Sequence, residues 1–473
     1  MLHLEFESSG DGRALSRFVS GKGRTYNVPM LRTGGTTMRK FCLGIAAVLF
    51  AAVGMAELQE VRVGGSLSIA GWYYDYDSIE TDAYYDQWIR LNAEAKFSEN
   101  VSAFIEFDSY DVWGEDFRSD YLRGLDLRAD SSDDVEVYQA YIEAANLWNT
   151  PLRLRVGRQE LMFGSEWLIG NNSDASTVFG LSFDAVRATW EAETWSIDAV
   201  AAKLAERFGR FAQDDTDLYM IYGTCRALED HEFDVYWIYV RDDLGTVAYP
   251  VDLHTIGIRA AGSFGNLDYE AEFAWQLGEV DDVPSACPFG FGDADVDYDT
   301  PGLTATVGYT FECCWTPRPF VGFTWLSGGD PDHSAWSNDR TLPFNRLFSD
   351  VSYSEFLYFT ELSNVLVYSA GLDLQPTECL ALSLVVSKLE VDEAYDNPAL
   401  FGGGKLDDDL GWEVAVSAEY QYTEDLLFYA TYAHLFGDDG LAGNYVVSSG
   451  LSPWDGSADD DYNAVYAGME ISF

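Results

Sequence analysis

The sequence predicts an all-β fold: a transmembrane antiparallel β-barrel of about 18 strands, with short periplasmic turns and long extracellular loops. Three observations predict it. Runs of about ten residues alternate apolar with polar side chains, which puts an apolar face opposite a polar one on each strand. The connections between runs alternate between short turns and long polar loops, the asymmetry of outer-membrane barrels. The polar face of the runs carries Arg and Glu too often for a packed soluble core, so those charges need water inside the sheet.

Taken in order, residues 1–37 form an N-terminal extension with several Gly, Ser and Arg and no apolar periodicity. Residues 38–56 read as a signal peptide. Arg39 and Lys40 supply the positive start, Phe41 to Val53 the apolar stretch, and Gly54-Met55-Ala56 the small residues of a cleavage site. Translation is expected to begin at Met38. Residues 57–473 are the barrel. Short turns fall at Ser98-Glu99-Asn100, Asn146 to Thr150, Glu191 to Thr194, Glu229-Asp230-His231, Gly262 to Asn266, Cys313 to Pro317, Pro376-Thr377-Glu378 and Thr423-Glu424-Asp425. Longer segments lie near 77–84, 110–133, 159–181, 205–216, 241–250, 278–300, 327–363, 391–409 and 437–459. Eight short turns and nine long loops give eighteen strands, an even number. The stretch Ser352 to Leu362 reads either as strand or as a short loop helix. The loop 327–363 is placed either inside the lumen, narrowing it, or on display outside. Trp72, Tyr73, Tyr74 and Tyr76 read as an interface girdle.

The stretch from Leu152 to Trp190 is the most informative. Leu152, Leu154 and Val156 share one face, with Arg153 and Arg155 on the other; Val186, Ala188 and Trp190 oppose Arg187 and Thr189. Within it, RVGRQELMFG followed by FDAVR resembles the signature of the alginate-export family of bacterial outer-membrane proteins. The matching positions are Gly157, Arg158, Gln159, Gly164, Phe183, Asp184 and Arg187. The resemblance implies a large barrel in the bacterial cell outer membrane, surrounded by its lipid, with an Arg-lined pore that passes an anionic polysaccharide. The alternating last strand, ending in Phe473, resembles the signal read by the outer-membrane assembly machinery.

Periodicity puts Arg90, Arg153, Arg155, Arg187, Arg226 and Arg259 on lumen faces, and Glu270 and Glu272 with them on an acidic wall that includes Glu94, Glu106, Glu413, Glu419 and Glu470. Arginine suits anion selection because it is always charged and grips carboxylates with a planar fork. The competing expectation is that these arginines brace the sheet: Glu143 falls roughly opposite Arg153, and Asp198 opposite Arg187. Arg158, at the strand end, is placed to tie down the loop that follows.

The formal charge of −51 makes nucleic acid an unsuitable partner and opposes entry of a polyanion at long range. No cofactor is expected. Divalent cations are conceivable at acidic loops such as Asp407-Asp408-Asp409 and Asp459-Asp460-Asp461, but neither has the spacing of a defined site. His231, His254, His333 and His434 are scattered, and the six cysteines form no framework, so the chain is not expected to be an enzyme. The expected function is a passive channel for an anionic polysaccharide or other small hydrophilic solutes. A general or sugar-selective porin and a structural or adhesive barrel are the alternatives.

Overall fold

The computed structural model describes residues 4–8, 14–19, 25–27, 58–76, 81–113, 135–172, 180–206, 215–243, 250–281, 295–329, 339–356, 362–394, 407–441 and 461–473. The chain divides into two units, 1–57 and 58–473. In the first, β1 (Leu4–Ser8), β2 (Ala14–Val19) and β3 (Thr25–Asn27) pair antiparallel. Leu4 and Phe6 alternate with Glu5 and Glu7, so this stretch carries a short strand period that contradicts the expectation of none. The expected signal peptide lies outside the described residues.

The second unit is a closed barrel. Its strands are β4 (Glu60–Tyr76), β5 (Asp82–Ser98), β6 (Val101–Val112), β7 (Glu136–Ala144), β8 (Leu152–Gln159) and β9 (Phe183–Glu191). They continue with β10 (Trp195–Ala205), β11 (Thr216–Cys225), β12 (His231–Asp242), β13 (Val251–Phe264), β14 (Leu267–Val280) and β15 (Asp295–Tyr309). After β16 (Arg318–Leu326), a three-residue strand β17 (Asp339–Thr341) pairs parallel with β15 and stands outside the antiparallel ladder. β16 pairs directly with β18 (Val365–Thr377), followed by β19 (Leu380–Val391), β20 (Asp409–Gln421), β21 (Leu426–Gly437) and β22 (Asp461–Ser472). β22 pairs with β4 and closes the ring at eighteen antiparallel strands. Each of the eighteen strands is thereby paired along both edges, as a bilayer demands.

Alternation decides the two faces. Ile89, Leu91, Val186, Ile256, Ile258, Val321, Leu384 and Val416 are exposed on the outside, while their neighbours in sequence point inward. The short turns gather at one end; left-handed backbone falls there on Asn146, which caps the 3-10 turn Leu147–Asn149, on Asn149, Asp230 and Gly265, and also on Trp148, Trp315 and Thr316. The long connections gather at the other end. Within the stretch Ser352 to Leu362, read from sequence as strand or loop helix, residues 352–356 form neither. The interior also departs from expectation. Its loop half is filled by an apolar cluster, including Leu161, Trp167, Ile169, Phe344 and Phe356, and not by water-exposed charge.

Candidate functional site

The candidate site is the barrel interior. Among the described residues, Arg90, Arg153, Arg155, Arg187, Arg259 and Arg318 face it or its rim, and each is held by one or more carboxylates. On β5, Arg90 Nε donates to Glu106 Oε1 at 2.7 Å and Nη2 to Glu160 Oε1 at 2.9 Å, with the guanidinium 4.7 Å from the Tyr138 ring. On β8, Arg155 Nη2 lies 2.7 Å from Glu143 Oε2 and over Tyr141. On β9, Arg187 Nε donates to Asp198 Oδ1 at 2.7 Å and lies over Phe163. Arg153 pairs with Glu191 at 2.5 Å near the turn end. Arg259 on β13 binds Glu270 at 2.6 Å, Asp234 at 2.7 Å and Glu232 at 2.8 Å. Arg318, at the start of β16, binds Asp268 at 2.5 Å and Asp373 at 2.8 Å. Charge-assisted bonds of this length neutralise and immobilise the guanidinium.

Several placements correct the sequence reading. Glu143 is opposite Arg155, not Arg153, because the 3-10 turn sets the register Glu143↔Arg155. Asp198 lies opposite Thr189 and reaches Arg187 diagonally. Arg226 follows the last residue of β11 and pairs with Glu232 at the rim, so it does not line the wall. Glu272 is buried beneath a loop and is not open to a watery passage. Acid and base are not segregated on opposite walls: Glu106 sits beside Arg90 and Glu270 beside Arg259. The missed residues are Arg318 and Glu160. The inward alternation of Arg318 with Phe320 and Gly322 was legible in the sequence.

Two loops meet inside the barrel. The segment after β8 brings in Leu161, Phe163, Trp167, Leu168 and Ile169; the segment before β18 brings in Phe344, Phe348, Tyr353 and Phe356. Backbone bonds join them: Gly170 N donates to Phe348 O at 2.8 Å, Phe348 N to Leu168 O at 2.9 Å, and Asp350 N to Glu166 O at 3.0 Å. Trp167 stacks on Phe344 and donates to Tyr353 Oη at 2.6 Å. Burial pushes the Tyr353 phenol up, which keeps it neutral. Each loop is tied to the wall through a buried carboxylate. Ser165 Oγ donates to Glu272 at 3.1 Å, beside Tyr236 Oη at 2.7 Å. Ser354 Oγ and Glu355 N donate to Glu413 at 2.5 and 3.0 Å. Gln276 exchanges two bonds of 2.6 Å with the Asn345 backbone. The loop 327–363 thus brings its described residues 339–356 inward, and the loop 159–181 joins it, which the sequence did not reveal.

The motif residues stand at the entry to the first loop. Gly157 has φ 131°, and a Cβ there would lie 2.2 Å from Ala140 O, so no other residue fits. Gln159 is fully buried and donates to Gly157 O and Ala185 O, both at 3.1 Å. Arg158 points outward and grips Asp184 with two bonds of 2.8 and 2.9 Å. Its partner is therefore the neighbouring strand. Phe183 packs inward, edge-on to Phe348 at 5.1 Å, and Gly164 sits against Tyr222 and Arg259. Of the acidic stretches, Asp409 pairs with Lys388, and Asp459 and Asp460 lie outside the described residues. Phe473 closes the seam by exchanging backbone bonds of 3.0 Å with Gly65.

A closed eighteen-strand barrel, apolar outside, charged inside and narrowed by inward loops, defines an outer-membrane channel. The particular family follows from the sequence: the alginate export pattern matches residues 74–434, and the chain belongs to that family. No curated protein matches it. Among solved structures it is similar to OccK8 (OprE) of Pseudomonas aeruginosa, at 13% identity and a TM-score of 0.53, covering 87% of this chain and 98% of that one. It is likewise similar to OccAB4 of Acinetobacter baumannii, at 10% identity and a TM-score of 0.54, covering 89% and 100%. The outer membrane protein opdK of Pseudomonas aeruginosa gives 10% identity and a TM-score of 0.52, covering 87% and 99%. The protein resides in the bacterial outer membrane, among its lipids, with its polar interior available to solutes.

Proposed function

We propose that the protein is a passive, cation-preferring channel for small hydrophilic solutes, working by electrostatic and steric filtering without covalent chemistry. One observation carries this reading: the wall arginines Arg90, Arg155, Arg187, Arg259 and Arg318 are held by carboxylates, whereas Glu419 and Glu470 face inward from β20 and β22. Among the described residues no Lys or Arg points inward from β19 to β22. A wall of fixed negative charge raises the local cation concentration. The test is the reversal potential of the refolded barrel in a planar bilayer under a salt gradient. A potential on the cation side is expected; an anion-side potential overturns the reading.

Export of an anionic polysaccharide is the second reading, favoured by the family and by Arg155 standing directly across from Arg187 in the ladder. Current block by a polyuronate that disappears in an Arg155→Gln/Arg187→Gln variant would establish it over the first. A barrel with no conductance at all would instead support a structural or adhesive role, its interior filled by the joined loops. Residues 38–56 are proposed to be removed as a leader, which N-terminal sequencing of the membrane-inserted protein tests.

A further inference from the structure

At the turn end of the interior, away from the joined loops, the wall formed by β16 and β18 to β20, with Thr310 just past β15, is hollowed into a cavity of about 310 Å³. That is the lower end of the range for small-molecule sites. Its polar lining includes Arg318, Asp373, Ser383, Ser417, Glu419 and Thr316. Position 308 on β15 is glycine, and its missing side chain leaves room for the Arg318 guanidinium, which lies over it at the cavity's edge.

The donors and acceptors are already oriented. Arg318 is clamped on both sides, Nε and Nη2 donating to Asp268 and Nη1 to Asp373. Those three bonds leave two of its five N–H groups without a carboxylate. Ser383 Oγ donates to Asp373 Oδ1 at 2.8 Å, and Ser417 Oγ is paired with Thr431 Oγ1 at 2.9 Å. Glu419 is exposed to the cavity and makes no ion pair among the described residues. The hollow therefore presents fixed N–H donors, several hydroxyls and a carboxylate with open lone pairs.

We propose that this cavity is a binding subsite for a neutral polyhydroxyl solute of the sugar type. Glu419 accepts hydrogen bonds from two neighbouring hydroxyls, and Arg318 donates to a ring or hydroxyl oxygen. Asp268 and Asp373 hold the guanidinium and a third carboxylate, Glu419, lines the same cavity, so an anionic sugar is repelled. A simple cation would meet the outward N–H groups of Arg318, whereas a polyol satisfies donors and acceptors together. The subsite rests on the reading of the barrel as a solute channel, and it extends that reading by naming a solute class.

The experiment is titration calorimetry of the refolded full chain in detergent with three probes: maltotriose, a glucosamine oligomer and a galacturonate oligomer of the same length. Planar-bilayer current through the same preparation is recorded with each probe added on the turn side. Maltotriose is expected to bind and to interrupt the current. A Glu419→Gln variant is expected to bind it about tenfold more weakly, since two charge-assisted hydrogen bonds give way to a single neutral acceptor. A Ser383→Ala variant provides a second, gentler test and should also weaken binding. Equal maltotriose binding by both variants and the parent overturns the proposal, as does preference for the amine or the uronate. Binding without conductance would retire the channel reading and leave the subsite standing. Conductance without maltotriose binding would do the reverse.

Discussion

Arginine in this barrel acts first as a brace. Arg259, with a side chain only 9% exposed, holds three carboxylates from two strands, and a charge so enclosed is retained only where its partners offset the lost hydration. The same economy explains why a family known for polyanion export can carry a lumen whose arginines are already occupied. Gly157 is the position where backbone alone decides the outcome. Replacing it with Val places Cβ against Ala140 O and forces a left-handed φ on a β-branched residue, which costs well over about 1 kcal/mol. The Gly157→Val barrel is expected to refold poorly, seen as loss of the heat-shifted band on a cold gel. Normal refolding would mean the strand simply adjusts there.

At the scale of elements, the two inward loops form one unit. They share three backbone hydrogen bonds, and each is anchored by a serine on a buried carboxylate. Trp167 is the keystone, stacking on Phe344 and donating to Tyr353. Truncating a buried Trp to Ala removes about 3–5 kcal/mol of packing. The Trp167→Ala channel is therefore expected to show higher, noisier single-channel conductance than the parent, with the barrel itself still folded. Unchanged conductance would show that the loops do not form the narrowest point.

At the scale of the whole barrel, closure of β22 onto β4 leaves it no free sheet edge, and a lipid-facing apolar surface encloses a charged interior. The proposed cation preference belongs to this scale because it sums over many fixed carboxylates. It should fade as salt rises, since screening shortens from about 10 Å at 0.1 M to about 3 Å at 1 M. Reversal potentials measured at a constant gradient ratio should shrink accordingly. A selectivity independent of salt would point to a single tight site in place of a diffuse field.

The sequence by itself determined the barrel, its strand number and the positions of all eight short turns. These are local properties: period-2 alternation and turn chemistry act over a few residues. The sequence also carried the family signature, whose residues Gly157, Gln159 and Phe183 turned out to position a loop. Only the tertiary structure decided which carboxylate each arginine meets. Glu143 passed from Arg153 to Arg155 because one 3-10 turn shifted the register, and a shift of that kind leaves no trace in alternation. It also decided that residues 160–172 and 339–356 meet inside the lumen. Trp167 and Phe344 lie far apart in the chain, and their stacking depends on the closed ring that holds both loops over the same opening.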